Sequence, residues 1–350
     1  MTNEPTGNYV VSATIESDSK LALPASIGNL DALFTQGSVG VSTVQRFVAN
    51  VNPGSNTVTV FGIDNLNPAR LNMIGQPVSS GGDFPSSLAI NKAGNRVCVV
   101  NGGKINGVSC YTFDAVGGLS PLRATIRSLN LNQTTPVRPP SPTGPSNTPS
   151  QIIFSPDEKQ LIVSVKAGFL AVWDINTDGS LSPDFQTVLG GILPFSLLYV
   201  PSKNAIIASD PGVGYDIFNL ATNATVSFPI PAQTLTCWSV HSAESGNFYM
   251  VDVGVSTITE ITVTGSLGST IVKARADTLT LCRLSFMYSL AANATGLTVL
   301  SVNGPGEAQI IQRLDVAGPA KAANLSIHSS NMQGMATFIG KLRVLKVIVI

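Results

Sequence analysis

Short apolar runs separated by polar turns recur along this chain. Residues 148–168, TPSQIIFSPDEKQLIVSVKAG, hold two β-favouring runs on either side of a polar turn at 155–159. Three other segments share this design: FPSSLAINKAGNRVCVVNGG (84–103), LPFSLLYVPSKNAIIASDPG (193–212) and LTCWSVHSAESGNFYMVDVG (235–254). Because the runs have the length of strands and helical periodicity is nearly absent, the pattern predicts an all-β fold.

The spacing of these units indicates the architecture. Pro149, Pro194 and Thr236 begin successive units about 40–45 residues apart, which is the repeat length of a four-stranded propeller blade. A pair of β-sandwiches is the alternative, and the regular period favours the propeller. Weaker units at 44–64 and 282–302 bring the number of expected blades to six.

The seventh blade must combine the two ends of the chain. We expect residues 9–26 to supply outer strands and residues 332–339 the inner strand, because ring closure removes exposed sheet edges. The prediction is a single domain over 1–350, a seven-bladed β-propeller with a composite closing blade. The Pro-rich insertion 133–150 is expected to be a surface loop. The terminal run RVLKVIVI, 343–350, is either a further paired strand or an aggregation-prone segment.

Composition narrows the range of partners. Charged residues form 11% of the chain and the formal net charge is zero, so no basic surface is available for nucleic acid. No window reaches the roughly 18 apolar residues of a membrane helix. The sequence also contains no Cys/His cluster, calcium loop, phosphate-binding glycine loop or GxSxG elbow. We therefore predict no metal, no cofactor and no membrane partner, and we expect a monomer.

The cysteines favour an oxidising compartment. Cys98 and Cys110 lie symmetrically about NGGKING, so a hairpin closed there places them opposite each other as a disulfide. Cys237 and Cys282 remain as a second pair. An even number of cysteines that pair in this way is typical of extracellular proteins. Four buried free thiols are the alternative.

Glycosylation sequons indicate the same compartment. Sequons begin at Asn132, Asn223, Asn293 and Asn324. The opening residues MTNEPTGNYVV lack a basic n-region and an apolar h-region, so we expect no secretory signal in this chain. The interpretation is a mature extracellular glycoprotein.

The order of these segments resembles a known family. RFVANVNPGSNTVTVFGID, GDFPSSLAINKAGNRVCVVNGG, LNQTTP, NTPSQIIFSPDEKQLIVSVKAGFLAVW and NMQGMA are similar to segments of the seven-bladed propellers related to bacterial 6-phosphogluconolactonase and fungal 3-carboxymuconate cyclase. The resemblance covers almost the whole chain. It is nearest to secreted fungal glycoproteins of the carboxymuconate-cyclase-like type.

This resemblance implies a site at one mouth of the central channel. In the catalytic relatives a His follows the Pro that opens one blade, and a Glu ends the next strand. With Pro149 as that Pro, the His position falls on Gln151 and the Glu position on Val165. Neither residue can transfer a proton near neutral pH, which lactone chemistry requires. His241 and His328 do not lie at a blade start of that kind.

Polar residues at the strand ends predict what the channel mouth contains. The ends of the second strands carry Asn101, Lys166, Asp210, Asp252 and Asn303, and Gln151 and Arg283 lie at the starts of inner strands. In a functional interpretation Lys166 and Arg283 hold a carboxylate while Asp210 or Asp252 acts as a base. The alternative is that these residues bond to one another and to water as a polar channel lining.

Three functions follow from these alternatives. The first is a secreted propeller that binds a small polar, acidic or carbohydrate ligand without turnover. The second is a diverged lactonase or cycloisomerase acting on small lactones or muconate-type acids. The third is a structural surface protein whose mouth is plugged by Trp238 or by the loop 133–150.

Overall fold

The computed structural model shows an all-β protein. It describes residues 10, 12–15, 21–22, 35–133, 147–276, 281–283, 286–291, 295–322, 324, 327, 332, 334–339 and 346–349. Strands form nearly all of the regular structure in these residues, together with one six-residue helix, α1 (Ala317–Ala322). No helix in this part of the chain is long and apolar enough to cross a membrane. The predicted all-β fold is confirmed.

The strands follow one another with short turns between them. Near the N-terminus they are β1 (Ser12–Ile15) and β2 (Leu21–Ala22). The next sheet contains β3 (Val39–Ser42), β4 (Phe47–Asn52), β5 (Thr57–Ile63), β6 (Leu71–Met73) and β7 (Val78–Ser79). It is followed by a sheet of β8 (Pro85–Ile90), β9 (Arg96–Asn101), β10 (Gly107–Asp114) and β11 (Gly118–Ser128). Another sheet contains β12 (Pro149–Phe154), β13 (Gln160–Val165), β14 (Phe169–Asp174) and β15 (Gln186–Leu189).

The second half of the chain continues in the same way. Its first sheet contains β16 (Leu197–Tyr199), β17 (Ala205–Asp210), β18 (Gly214–Asn219) and β19 (Ala224–Pro229). The next contains β20 (Thr236–His241), β21 (Phe248–Asp252), β22 (Thr257–Val263) and β23 (Ser269–Ala276). The following sheet contains β24 (Leu281–Arg283), β25 (Phe286–Ala291), β26 (Gly296–Ser301) and β27 (Gln309–Asp315). The last strands are β28 (Ala336–Ile339) and β29 (Lys346–Val349).

These strands form antiparallel sheets of the size expected for propeller blades. Six sheets have four strands each, in the described part of the chain. The sheet that begins with β3 departs from this pattern because the two-residue strand β7 also pairs with β5, which gives it five strands. The pattern of apolar runs predicted the four-stranded unit but not this extra strand.

One of the four-stranded sheets joins the two ends of the chain. Its strand order is β2-β1-β29-β28, with Val349 opposite both Ser12 and Ala336. The terminal run RVLKVIVI therefore contains a paired strand, β29, between β28 and β1. Strand β28 lies at the edge of this sheet and contacts β3, as the prediction of an inner strand within 332–339 requires.

The first strands of the sheets approach one another around a central channel. Strand β8 contacts both β3 and β12, strand β16 contacts both β12 and β20, and β20 contacts β24. The layers between adjacent sheets are apolar; Trp173, for example, is fully buried in a cluster shared by β9, β10 and β12–β14. This arrangement of antiparallel sheets with touching inner strands is a β-propeller.

Bulges at the starts of three inner strands determine which side chains face the channel. The pairing register shifts between Pro85 and Ser87, between Pro149 and Gln151, and between Thr236 and Trp238. A bulge inserts one residue and redirects the side chains that follow it. Ser87, Gln151 and Trp238 therefore occupy equivalent positions in their sheets.

The predictions for the two cysteine pairs and for the Pro-rich insertion differ in how they compare with the structure. Cys98 and Cys110 lie directly opposite each other on β9 and β10 and form a disulfide. The second predicted pair is wrong, because Cys237 is a free, buried thiol; the Cys282 side chain lies outside the described residues. Most of the predicted surface loop 133–150, residues 134–146, also lies outside the described residues. The last two residues of the predicted loop belong to β12, which begins at Pro149.

Candidate functional site

Three of the predicted channel residues occupy equivalent positions in three of the sheets. Asn101 ends β9, Asp210 ends β17 and Asp252 ends β21, each as the last residue of the second strand. All three side chains are buried. The repeat that was evident in the sequence thus places these polar residues at the same end of the propeller.

The carboxylate of Asp210 is occupied by main-chain amides. Oδ2 accepts hydrogen bonds from the backbone N–H groups of Ile192 and Leu193 at 2.7 and 2.9 Å, and Oδ1 accepts one from Gly212 at 2.7 Å. These bonds tie the loop before β16 to the turn after β17. A carboxylate that accepts three amide hydrogen bonds has few lone pairs left for a ligand.

Asp252 makes the equivalent contacts in the next sheet. Oδ2 accepts a hydrogen bond from the backbone of Thr234 at 2.6 Å, and Oδ1 accepts one from Leu235 at 3.0 Å and one from Gly254 at 2.8 Å. The repeated Asp therefore ties an inter-blade loop to the turn beside it, which is a structural role.

Asp216 adds a second carboxyl group beside Asp210 that the sequence analysis missed. Asp216 lies on β18 opposite Ala208 and is fully buried. Burial raises the pKa of Asp216 to about 8, and hydrogen bonding to the Asp210 side chain and the charge of Asp210 act in the same direction. Ser227 Oγ donates to Asp216 Oδ1 at 2.5 Å, whereas Oδ2 has no donor among the described residues.

The surroundings of Asp216 favour its protonated form. Its Oδ2 lies beside Asp210, because a Cβ added at Gly191 would be 2.4 Å from Asp216 Oδ2 and 2.9 Å from Asp210 Oδ2. Burial and the neighbouring carboxyl group both raise the pKa of Asp216, so its carboxyl group is mostly protonated at neutral pH. The alternating pattern of GYDIFN contained the signal, since it places an Asp among buried positions.

Gln151 is committed to the neighbouring inner strand. The side-chain Oε1 of Gln151 accepts a hydrogen bond from the backbone N–H of Leu197 at 2.5 Å. The backbone N–H of Gln151 donates to Ser164 Oγ at 3.1 Å. The side chain is buried. At the position where the resembling family has its His, this side chain therefore links β12 to β16.

Gln36, which the sequence did not indicate, forms hydrogen bonds to inner strands of two different sheets. Its Nε2 donates to the carbonyl of Ser239 at 3.2 Å and its Oε1 accepts from the N–H of Ser239 at 3.1 Å. Ser87 Oγ donates to the Gln36 carbonyl at 2.7 Å. Because Ser87 and Ser239 belong to inner strands of different sheets, β8 and β20, Gln36 spans the channel between them.

Trp238 completes this filling of the channel. Its Nε1 donates to the carbonyl of Thr35 at 3.2 Å, and its ring packs edge-on against Phe195 with the centroids 5.5 Å apart. Thr35 Oγ1 in turn donates to the carbonyl of Ser86 at 2.6 Å. The residues that close the channel in the described part of the chain are thus Thr35, Gln36, Gln151 and Trp238.

Lys166 is a predicted candidate whose amine titrates near neutral pH. It is only 3% exposed, and its Nζ lies 5.3 Å from the centroid of the Phe195 ring, within range of a cation–π contact. Burial lowers the pKa of Lys166 to about 7, while a charge on Cys237 would raise it. Burial also raises the pKa of Cys237 to about 12, so this thiol is neutral at pH 7 and its opposing effect on Lys166 is absent there.

The other candidates do not form one cluster. Asn101 Nδ2 donates to the carbonyl of Ser80 at 3.0 Å, and Asn303 is exposed in a loop. The side chain of Arg283 lies outside the described residues, as does His328. His241 is half-buried against Phe248 at the end of β20, and burial lowers its pKa.

The predicted sequons have asparagines that a glycosyl transferase could reach. Asn132, Asn223 and Asn324 are exposed, and Asn293 lies outside the described residues. Among the residues that the structure describes, no three His, Cys, Asp or Glu side chains come together as a metal site.

The ring of antiparallel sheets and the filled channel define the chain as a β-propeller, and several solved structures share this fold. A proposed 6-phosphogluconolactonase from Bacteroides fragilis has a TM-score of 0.67 at 14% identity and covers 89% of this chain and 97% of its own. The periplasmic gluconolactonase of Pseudomonas aeruginosa has a TM-score of 0.67 at 16% identity, covering 88% and 96%. A protein from Lactobacillus plantarum has a TM-score of 0.62 at 14% identity, covering 92% and 97%.

These similarities show the fold that the chain has in common with propeller lactonases. No protein-family model matches the sequence, and no curated protein matches it either. At identities of 14–16%, a shared fold does not transfer an activity.

Proposed function

We propose that this chain is a secreted, N-glycosylated propeller of the carboxymuconate-cyclase-like type that binds a small polar or acidic ligand without turnover. The observation that carries this proposal is the hydrogen bond from Leu197 N–H to Gln151 Oε1. Gln151 occupies the position where the resembling enzymes have their catalytic His. Its amide can orient a substrate but cannot take a proton from it, and its oxygen already accepts a hydrogen bond from the protein.

The carboxylates nearby support the same proposal. Asp210 and Asp252 each accept at least three hydrogen bonds from the backbone, so neither is placed to act as a base toward a ligand in the channel. Because Gln36 fills the channel centre, we expect the ligand at the rim of this mouth. The rim loops carry the exposed side chains of Ile105 and Ile192.

The proposal for secretion rests on two features. The cross-strand disulfide between Cys98 and Cys110 is typical of proteins from oxidising compartments. The exposed sequon residues Asn132, Asn223 and Asn324 are suitable for modification there.

We also propose a count of seven blades. The count is supported by the sheets of the described residues, six with four strands and one with five, if each sheet is taken as one blade. The sheet β2-β1-β29-β28 is then the closing blade, which links the N-terminal and C-terminal segments.

The test is turnover of purified full-length protein on glucono-δ-lactone, 6-phosphogluconolactone and muconolactone. We expect no rate above the uncatalysed hydrolysis of each lactone, because Gln151 and Val165 occupy the positions where the resembling enzymes have their His and Glu. Lys166→Met and Lys203→Met, the latter at an exposed position in the turn between β16 and β17, serve as matched variants. A lactonase rate in the wild type would contradict the proposal.

One observation favours a second candidate, a diverged lactonase. The amine of Lys166, with a pKa of about 7, is suited to general-base or nucleophilic chemistry at neutral pH. In that case turnover is lost in Lys166→Met and retained in Lys203→Met. Its burial is the argument against it, since substrate must reach Nζ past Phe195.

A further inference from the structure

A polar cleft lies at the end of the propeller opposite to the channel mouth discussed above. It is about 250 Å³ in volume and is formed where the turn between β8 and β9 meets the loop after β14. Its lining includes Asn95, Arg96, Phe154, Asn176 and Thr177. A second cleft of about 340 Å³ shares Phe154 and Glu158 with it. The volume of the second cleft lies at the lower end of the range for small-molecule sites, and that of the first lies just below it.

Arg96 reaches into this cleft from the neighbouring blade. Its backbone N–H is fixed by Asn91 Oδ1 at 2.9 Å. Its guanidinium lies directly over Gly179, where an added Cβ would be 2.2 Å from Nη2. Gly179 has φ +82°, so the conformation of the turn favours glycine, while the end of the flexible Arg96 side chain is able to move away from an added Cβ. The guanidinium thus lies at the contact between two blades.

No acceptor in the described residues binds the Arg96 guanidinium. Glu158 lines the same cleft, but its Oε1 accepts the backbone N–H of Lys92 and no ion pair joins it to Arg96. Lys92 Nζ donates to the carbonyl of Pro156. A half-buried guanidinium with its donors unused is suited to a carboxylate, which it can bind with two parallel hydrogen bonds.

The rest of the lining is suited to a sugar ring. Asn176 uses Nδ2 to bond to Ser180 Oγ at 2.9 Å, which leaves its Oδ1 facing solvent as an acceptor. Asn95 and Thr177 are exposed and add donors and acceptors for hydroxyl groups. Phe154 and Ile175 give the cleft an apolar floor. We propose that this cleft binds a carboxylate-bearing sugar, such as a hexuronate, with Arg96 holding the carboxylate.

The test is titration of the full-length protein with galacturonate, with its neutral counterpart galactose and with acetate, followed by NMR chemical shifts. We expect galacturonate to bind at least tenfold more tightly than galactose or acetate, and to shift the amides of Asn95 and Thr177. Arg96→Gln should remove this preference, because a hydrogen bond to a charged group accounts for roughly tenfold or more in affinity. Arg70→Gln, at an exposed Arg in the loop before β6, should leave it intact.

Gly179→Ala gives a second, independent variant. It retains the charge of Arg96 but displaces the guanidinium, so it should also remove the preference for galacturonate; this variant decides the matter if Arg96→Gln does not fold. Equal affinity for galacturonate and galactose would overturn the proposal, as would binding of acetate as strong as that of galacturonate. A loss of stability in both variants without any binding in the wild type would show that Arg96 only joins the two blades. None of these outcomes depends on the channel mouth.

Discussion

The buried carboxyl group of Asp216 lies beside that of Asp210 in the interior of one blade, since a Cβ added at Gly191 would be 2.4 Å from Asp216 Oδ2 and 2.9 Å from Asp210 Oδ2. The pKa of Asp216 is raised from 3.8 to about 8, chiefly by burial. The unfolded chain loses the proton of the Asp216 carboxyl group near pH 4, whereas the folded chain keeps it until about pH 8. The free energy of unfolding therefore falls as pH rises across this window.

Asp216→Asn should reduce that fall. The new amide can donate to Asp210 without a titratable proton, and its oxygen can still accept from Ser227. Since each pKa unit corresponds to about 1.4 kcal/mol, we expect the loss of stability between pH 4 and pH 8 to shrink by about 2 kcal/mol or more. Urea unfolding at several pH values measures it.

Asp114→Asn is the matched control for this prediction. Asp114 is exposed, and backbone hydrogen bonds from Gly117 and Val116 lower its pKa. Its contribution to stability is therefore present above pH 4 and lost below it, which leaves the window from pH 4 to pH 8 unchanged. If Asp216→Asn keeps the wild-type slope in that window, the carboxyl group of Asp216 does not hold a proton there.

Gly191→Ala should destabilise the same region for a steric reason. Gly191 has φ +75°, and an added Cβ would lie 2.4 Å from Asp216 Oδ2 and 2.9 Å from Asp210 Oδ2. Gly246 has a similar φ of +69° but no atom within 4 Å of the added Cβ. We expect Gly246→Ala to cost about 1 kcal/mol for the backbone conformation alone and Gly191→Ala to cost at least about 2 kcal/mol more. Equal losses of thermal stability in the two variants would refute the close approach of the carboxyl groups.

Gln151→Leu should cost stability because it leaves the buried N–H of Leu197 without its acceptor. Such a loss costs about 1–3 kcal/mol. Gln309→Leu, at an exposed position on β27, makes the same chemical change where no buried partner is lost and should change stability by less than about 0.5 kcal/mol. Chemical denaturation of both variants measures the difference, and a Gln151→Leu variant as stable as the wild type would show that this bond contributes nothing.

Much of the fold could be predicted from the sequence because the repeat leaves a local pattern. The turn at 155–159, the strand ends at Asn101, Asp210 and Asp252, and the disulfide of Cys98 with Cys110 all depend on residues close in the chain. The two-residue strand β7 has too few residues to produce a pattern of its own.

The filling of the channel depends on contacts between distant parts of the chain. Gln36 and Ser239 are 203 residues apart, and nothing in the local sequence of either residue indicates the other. The same holds for the free Cys237, which was expected to pair with Cys282 because both were left over after the first disulfide. The position of Asp210 and Asp252 at strand ends predicted that these carboxylates line the channel mouth. It did not predict that backbone N–H groups already donate hydrogen bonds to them.

The most direct test of the filled channel is amide hydrogen exchange at Leu197 and Ser239 in the wild-type protein. Both N–H groups belong to inner strands and bond to Gln151 and Gln36. We predict slow exchange at both, and much faster exchange at Ser239 alone in Gln36→Ala, since only that bond is removed. Rapid exchange at both amides in the wild type would show an open, water-filled channel and would contradict the account.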